Sequence, residues 1–142
     1  AYNRVAVARY NVDGSLDTSF GDGGKVTTLA QAASYGYAAV LQPDGKLVVG
    51  GKSCNPGSCI FLLVRYSADG SLDASFGGDG LVETPAGDGN SVGVQGLWLQ
   101  ADGKLVVAGS AGSAPNSDFA LARYNTDGSL DSTFGGTGVV VT

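Results

Sequence analysis

The chain has 142 residues, a net charge of −5, and neither histidine nor methionine. Nucleic-acid binding needs clustered lysine and arginine, which are absent, and no apolar run approaches the roughly 20 residues that span a bilayer. Without histidine, the chain also lacks the usual catalytic base near neutral pH. These features predict a non-enzymatic protein of one domain without a membrane span, and its 24 glycines favour short strands and tight turns.

A stretch of twenty residues occurs three times, beginning at Arg9, Arg65 and Arg123, with twelve positions identical in all copies. A second phrase, LQPDGKLVVGG, recurs once as LQADGKLVVAG. The three copies are separated by 56 and 58 residues, which sets the length of the repeating unit. Units of this kind bury their apolar faces by stacking on their neighbours. The chain divides into a half repeat and two complete repeats: 1–28, 29–84 and 85–142.

Each complete repeat predicts four short strands and no helix. A Pro-Asp-Gly turn separates the first two strands, because proline fixes φ and glycine accepts a left-handed conformation. A loop, at 52–58 or 110–117, leads to a third strand, and a DGSLD turn connects it to the fourth. The predicted strands are 25–28, 37–42, 46–51, 60–66, 81–84, 92–100, 104–109, 118–124 and 138–142.

The third strand decides the architecture, because both of its faces are apolar in FLLVRY from Phe61 and in FALARY from Phe119. A sheet with one face in water would alternate apolar and polar residues, so we expect these sheets to be covered on both sides. Four antiparallel strands per unit, with sheets packed face to face, predict an all-β protein of tandem β-propeller-type blades, about two and a half in number. A β-sandwich or a solenoid of hairpins is the alternative.

The phrases LQPDGKLVVGG, FALARYNTDGSLDSTFG and GGKVTT resemble the bacterial delta-sixty repeat, which occurs in tandem in large secreted or surface-associated proteins. The resemblance covers essentially the whole chain. It implies propeller-type blades and a location outside the cell or at its surface, and it carries over no catalytic residues. The chain holds fewer units than the usual arrays of that family, and two and a half blades are too few to close a ring.

The two cysteines, Cys54 and Cys59, flank an Asn-Pro-Gly turn that can bring the thiols together. We expect a disulfide and, with it, an oxidising compartment. The aligned positions of the next unit are Gly112 and Ser117, so the repeat folds without the bridge. A pair of free thiols is the alternative, and two ligands do not complete a metal site.

Aspartates alternate with other oxygen-bearing residues around the glycine of each DGSLD turn, as in some calcium loops. The turns lack the acidic first ligand and the final glutamate of an EF-hand. A simpler explanation is that the first aspartate of each turn accepts backbone hydrogen bonds while the glycine adopts a positive φ. No cofactor is therefore expected. The weak calcium candidates are Asp13, Asp17, Asp69, Asp73, Asp127 and Asp131.

Each of the three repeated arginines, Arg9, Arg65 and Arg123, ends a strand whose other members are apolar. A buried guanidinium is costly unless it is paired, so we expect structural ion pairs to a neighbouring unit or within the repeat. Within the repeat the partners would be Asp17, Asp73 and Asp131. An anion-binding ring is the functional alternative.

The half repeat lacks its first hairpin, and we expect another copy of the chain to complete it. Such a head-to-tail contact generates closed rings or open filaments. The sequence therefore predicts a homo-oligomeric or polymeric structural protein, in an extracellular fibre or surface assembly. The alternative is a ligand- or glycan-binding fragment of a larger secreted propeller, using the loops 52–58 and 110–117. For Trp98, which replaces Val40 of the other unit, we expect a core position, and a sugar-stacking platform is the alternative.

Overall fold

The computed structural model describes residues 3–30, 33–87, 92–112 and 117–142, in which the regular elements are ten strands. They form three antiparallel sheets, with β1 and β2 in sheet 1, β3 to β6 in sheet 2, and β7 to β10 in sheet 3. The strands are β1 (Val5–Ala8), β2 (Lys25–Thr28), β3 (Ala33–Leu41), β4 (Leu47–Asn55), β5 (Ser58–Tyr66), β6 (Leu81–Thr84), β7 (Val92–Leu99), β8 (Leu105–Ala111), β9 (Asp118–Tyr124) and β10 (Val139–Val141).

The all-β class and the four-stranded antiparallel sheets are confirmed, and the strands of sheets 2 and 3 follow one another in chain order. The two sheets share a bulge in their first strand, between Gly36 and Ala38 in β3 and between Val94 and Gly96 in β7. Beside the first bulge, a Cβ on Gly51 would overlap the carbonyl oxygen of Tyr35, so only glycine fits there.

The prediction of a loop at 52–58 is wrong. Strand β4 continues to Asn55 and β5 starts at Ser58, so that only Pro56 and Gly57 connect them. Cross-strand pairing of Asn55 with Ser58 is enough to extend the hairpin through the predicted loop. In the next unit, β8 likewise extends to Ala111, and residues 113–116 of the predicted loop lie outside the described residues.

The three sheets stack face to face around two apolar cores. The core between sheets 1 and 2 contains Val5, Phe20, Val49, Leu62, Val64 and Tyr66. The core between sheets 2 and 3 contains Val48, Phe61, Leu63, Phe76, Ala86, Val94, Leu97, Leu105, Val107, Ala111, Ala120, Ala122 and Tyr124. Strand β5 is accordingly buried on both faces from Phe61 to Tyr66, as the apolar pattern predicts. Among the described residues, sheets 1 and 3 are each covered on one face only.

Candidate functional site: the repeated turn and the two uncovered sheet faces

The DGSLD turn has the same geometry in all three copies. In the first, the N–H and the hydroxyl of Ser15 both donate to Oδ1 of Asp13, at 3.0 and 2.6 Å. Gly14 has a φ of 86°, a conformation that other residues adopt only with strain. The Ser15 hydroxyl, followed by its N–H, is the main reason that the pKa of Asp13 is lowered. The corresponding bonds join Ser71 to Asp69 and Ser129 to Asp127.

The second aspartate of each turn pairs with the repeated arginine. Nε donates to Oδ2 at 2.8 Å in Arg9–Asp17, 2.7 Å in Arg65–Asp73 and 2.8 Å in Arg123–Asp131. Each guanidinium also lies over a phenylalanine ring of its own repeat, 4.5 to 4.8 Å from the centroid. Of the three arginine side chains, that of Arg65 is buried, with 5% exposed. The pairing satisfies a charge that would otherwise be costly to bury.

A lysine joins the ion pair in each complete repeat. Nζ of Lys46 lies 2.9 Å from Oδ2 of Asp73, and Nζ of Lys104 lies 2.7 Å from Oδ2 of Asp131. Burial alone would raise the pKa of the Asp73 carboxyl, but the Ser75 and Lys46 hydrogen bonds outweigh it and hold the pKa far below its usual range. Lys104, followed by the hydroxyl of Thr133, lowers the pKa of Asp131 in the same direction.

The six calcium candidates are dispersed among these contacts. Each carboxylate binds hydroxyl and amide donors of its own turn, and three of them also bind an arginine. Across the described ranges, no three residues of the types His, Cys, Asp and Glu lie together as metal ligands would. The arrangement that the structure shows is therefore a hydrogen-bonded turn held by an ion pair.

The turns also connect each sheet to the next. Nη1 of Arg9 donates to the carbonyl oxygen of Ala68 at 2.6 Å, and Nη1 of Arg65 donates to that of Thr126 at the same distance. The hydroxyl of Tyr66 in sheet 2 donates to Oγ1 of Thr28 in sheet 1 at 2.7 Å. These polar contacts set the position of each sheet on the next, while the apolar cores supply the buried surface between the sheets.

Backbone groups of the turns make the same connection. The N–H of Gly21 donates to the carbonyl oxygen of Asp69 at 2.8 Å, and that of Gly77 to the oxygen of Asp127 at 2.9 Å. Because the two stacked contacts use equivalent atoms, they are two copies of one sheet-to-sheet interface.

The free face of sheet 3, defined by Trp98, Phe119, Leu121 and Val140, has no covering sheet among the described residues. The side chain of Phe119 is 82% exposed and that of Leu121 is 37% exposed. Their equivalents in sheet 2, Phe61 and Leu63, are completely buried beneath sheet 3. The prediction of cover on both faces therefore holds for β5 and is wrong for β9.

The free face of sheet 1, defined by Ala6, Ala8 and Tyr10, lies at the opposite side of the stack. Tyr10 is 61% exposed, whereas its equivalents Tyr66 and Tyr124 are 0% exposed. Burial raises the pKa of Tyr124 to about 12, which reflects how completely the stack excludes water there. Tyr10 is thus a surface residue, unlike the other two repeated tyrosines.

Trp98 is exposed to 56%, so the sequence-based preference for a core position is wrong. Its indole covers Gly96, where a Cβ would overlap the ring. One side of the indole therefore rests on the backbone of β7, and the other faces outward on the free face of sheet 3. The absence of a side chain at position 96 is the signal that, with hindsight, indicates this arrangement.

The disulfide between Cys54 and Cys59 is confirmed, and it links directly opposed residues of β4 and β5. It lies at the hairpin end of sheet 2, apart from the repeated turns. In the described part of the chain, no helix is long and apolar enough to cross a membrane.

Stacked antiparallel sheets of four strands, joined by a turn that repeats in every unit, define a β-propeller-type repeat protein. The family model described as "Domain of unknown function (DUF5122) beta-propeller" matches residues 1–20, 42–76 and 100–134, which is more than half of the chain. The chain belongs to this family. No curated protein is significantly similar to it.

Proposed function

We propose that the protein is a non-enzymatic structural module whose copies associate head to tail, with the free face of sheet 3 in one copy covering the free face of sheet 1 in the next. One observation carries the proposal. Phe119 and Leu121 are exposed, whereas the equivalent residues of sheet 2 are fully buried by the next sheet. The free face therefore has the composition of an interface that the same chain already forms twice.

The energetics favour such a contact. An exposed contiguous apolar face marks an interaction surface on a soluble protein. Burying the largely exposed side chain of Phe119 contributes about 1.5–3 kcal/mol, and Leu121, which is 37% exposed, contributes correspondingly less. Since the two free faces differ, the contact joins unlike surfaces and generates rings or filaments, depending on the rotation between copies.

The structure modifies one expectation about how copies meet. Strands β3, β4, β7 and β8 are all paired within their own sheets. A second copy cannot supply a hairpin to sheet 1 without losing those pairs, so we propose stacking of faces in place of hairpin exchange.

We further propose that the repeat is of the delta-sixty type and that the assembly is extracellular or attached to the cell surface. The phrases shared with that repeat support the first part. The disulfide between Cys54 and Cys59 supports the second, because disulfides persist in oxidising compartments and are rare in the cytosol.

Electron microscopy of the purified chain tests the proposal. We expect rings or filaments for the wild-type protein and single particles for the double variant Phe119→Asp/Leu121→Asp. Leu41→Asp is the control, since Leu41 is 66% exposed but lies on neither free face. Single particles of the wild type at every concentration would refute the proposal.

A second candidate function, glycan binding, is favoured by the outward-facing indole of Trp98. Aromatic rings that expose one side provide stacking surfaces for sugars, and Trp98 is the only tryptophan of the chain. Its fluorescence therefore reports directly on a ligand at that face. Titration with a panel of oligosaccharides should change the emission if this function is correct, and the binding should be lost in Trp98→Ala.

A further inference from the structure

The third repeated arginine has an unused donor. In Arg9 and Arg65, Nη1 binds a carbonyl oxygen in the turn of the next sheet, at 2.6 Å in both cases. In Arg123, Nε binds Asp131 and Nη2 binds Thr133, but no acceptor for Nη1 lies among the described residues. This donor is held in place by its ion pair and lies at the free face of sheet 3.

A backbone donor beside it is also unused. Gly21 and Gly77 donate their N–H groups to the turn of the next sheet, and the equivalent residue of the third repeat is Gly135. Within the described ranges, no carbonyl oxygen accepts a hydrogen bond from the N–H of Gly135.

The matching acceptors lie on the free face of sheet 1. The oxygens that serve as acceptors within the chain belong to residues 68 and 69 and residues 126 and 127. Their equivalents in the first turn are Val12 and Asp13. The side chain of Val12 is fully exposed, and no described residue donates to either carbonyl oxygen. The bond from Tyr66 to Thr28 does not carry over in the same way, because the hydroxyl of the equivalent Tyr124 is buried and has no hydrogen-bond partner among the described residues.

We infer that the head-to-tail contact is formed by two specific hydrogen bonds to a second copy of the chain. Nη1 of Arg123 donates to the carbonyl oxygen of Val12, and the N–H of Gly135 donates to that of Asp13. The inference rests on the proposed function and specifies its geometry. It extends to a second copy the interface that sheets 1, 2 and 3 already form within the chain.

The space around the glycine of each repeated turn shows where a substitution would disturb this contact. A Cβ on Gly70 would lie 2.6 Å from the backbone nitrogen of Gly21, and one on Gly128 would lie 2.8 Å from Val82, each a residue of the preceding repeat. At the equivalent Gly14, a Cβ would meet nothing within 4 Å. A methyl group at position 14 is strained by the positive φ but contacts no atom of the isolated chain, whereas it would block the approach of a partner.

The contact covers only part of the free face of sheet 3. Sheet 1 contains the equivalents of β5 and β6, as its pairing shows, and has no counterpart of β3 among the described residues. Phe119 and Leu121 lie on β9, and the partner would cover them with Ala6 and Ala8 of β1 alone, because sheet 1 has no counterpart of the strand β7 that packs on β5 within the chain. Trp98 lies on β7, which would stay uncovered, so Trp98→Val should leave association unchanged.

Two variants, each blocked on one face, provide the main test. Phe119→Asp/Leu121→Asp blocks sheet 3, and Tyr10→Asp/Gly14→Ala blocks sheet 1. In sedimentation velocity each variant alone should stay monomeric, and an equimolar mixture should form a dimer of twice the chain mass of 14.1 kDa. Self-association of the variant blocked on sheet 1 would overturn the inference, because it would show a symmetric contact between two sheet 3 faces.

Single substitutions test the individual bonds. Arg123→Lys keeps a positive charge near Asp131 but loses the guanidinium nitrogen Nη1 that would bind the partner. We expect association to weaken about tenfold or more. Arg9→Lys makes the same change at a bond that lies within the chain, so it should lower stability without weakening association.

Gly57→Ala is the control for Gly14→Ala, because the backbone strain is the same in both variants. Gly57 has a φ of 87°, against 86° for Gly14, and a Cβ there also meets nothing within 4 Å. Both alanine variants should lose similar stability, but only Gly14→Ala should weaken association. If the wild type associates and the variants at Gly14 and Arg123 associate equally well, the hydrogen bonds are refuted while the proposed function stands. A wild type that remains monomeric refutes both.

Discussion

Two equivalent phenylalanines provide a direct comparison of a covered and an uncovered sheet face. Phe61 is 0% exposed and Phe119 is 82% exposed, at matching positions of β5 and β9. Phe61→Ala leaves a cavity in the core between sheets 2 and 3, and truncations of this kind cost about 3–5 kcal/mol. Phe119→Ala removes a ring that is less than one-fifth buried, so the area term gives at most about 0.6 kcal/mol. The two substitutions should therefore differ by about 3 kcal/mol.

Urea unfolding followed by far-ultraviolet circular dichroism measures this difference at low protein concentration, where the chain is dissociated. The midpoint should fall strongly for Phe61→Ala and barely for Phe119→Ala, with similar slopes. As the protein concentration rises, the wild type should become more stable and Phe119→Ala should gain less, because association stabilises the folded state. Equal destabilisation by the two substitutions in dilute solution would show that Phe119 is already covered within one chain.

Three further predictions concern the disulfide and the aspartates. Cys54→Ala/Cys59→Ala should lower the free energy of unfolding by about 2 kcal/mol in chemical denaturation, given the short loop that the bridge closes; no change would contradict this. The pKa of Asp73 is lowered on folding, so its contribution is present above the unfolded value of about 3.9 and is lost as the pH falls below it. Asp73→Asn should flatten the loss of stability on acidification, and an unaltered slope would oppose the assignment. Adding calcium or EDTA should leave the melting temperature unchanged, since the turn carboxylates already bind donors of the chain; a shift would revive the calcium candidates.

The recurring turns made much of the architecture predictable. Aspartate and glycine at fixed spacing in DGSLD specify both a hydrogen-bonded side chain and a positive φ, and these are local properties of the sequence. The ion pair between Arg65 and Asp73 is likewise the expected way to bury a guanidinium at the end of an apolar strand. The turn conformation and the ion pair could therefore be predicted from a few neighbouring residues.

The exposure of the sheet faces could not be predicted in the same way. Phe61 and Phe119 occupy the same place in the repeat, and only the presence of a following sheet distinguishes them. The error at Trp98 has the same origin, since its equivalent Val40 packs against the core between sheets 2 and 3. The extended hairpin at 52–58 was missed because Pro56 and Gly57 suggest a loop, whereas cross-strand pairing continues on both sides of them.

Sedimentation equilibrium over a concentration series tests the central claim that the two free faces bind each other. The account predicts a mass that rises above the 14.1 kDa of one chain as the concentration increases. It also predicts that the mass stays at this value for Phe119→Asp/Leu121→Asp. A wild-type mass of one chain throughout the series, or an increase that the double variant shares, would contradict the account.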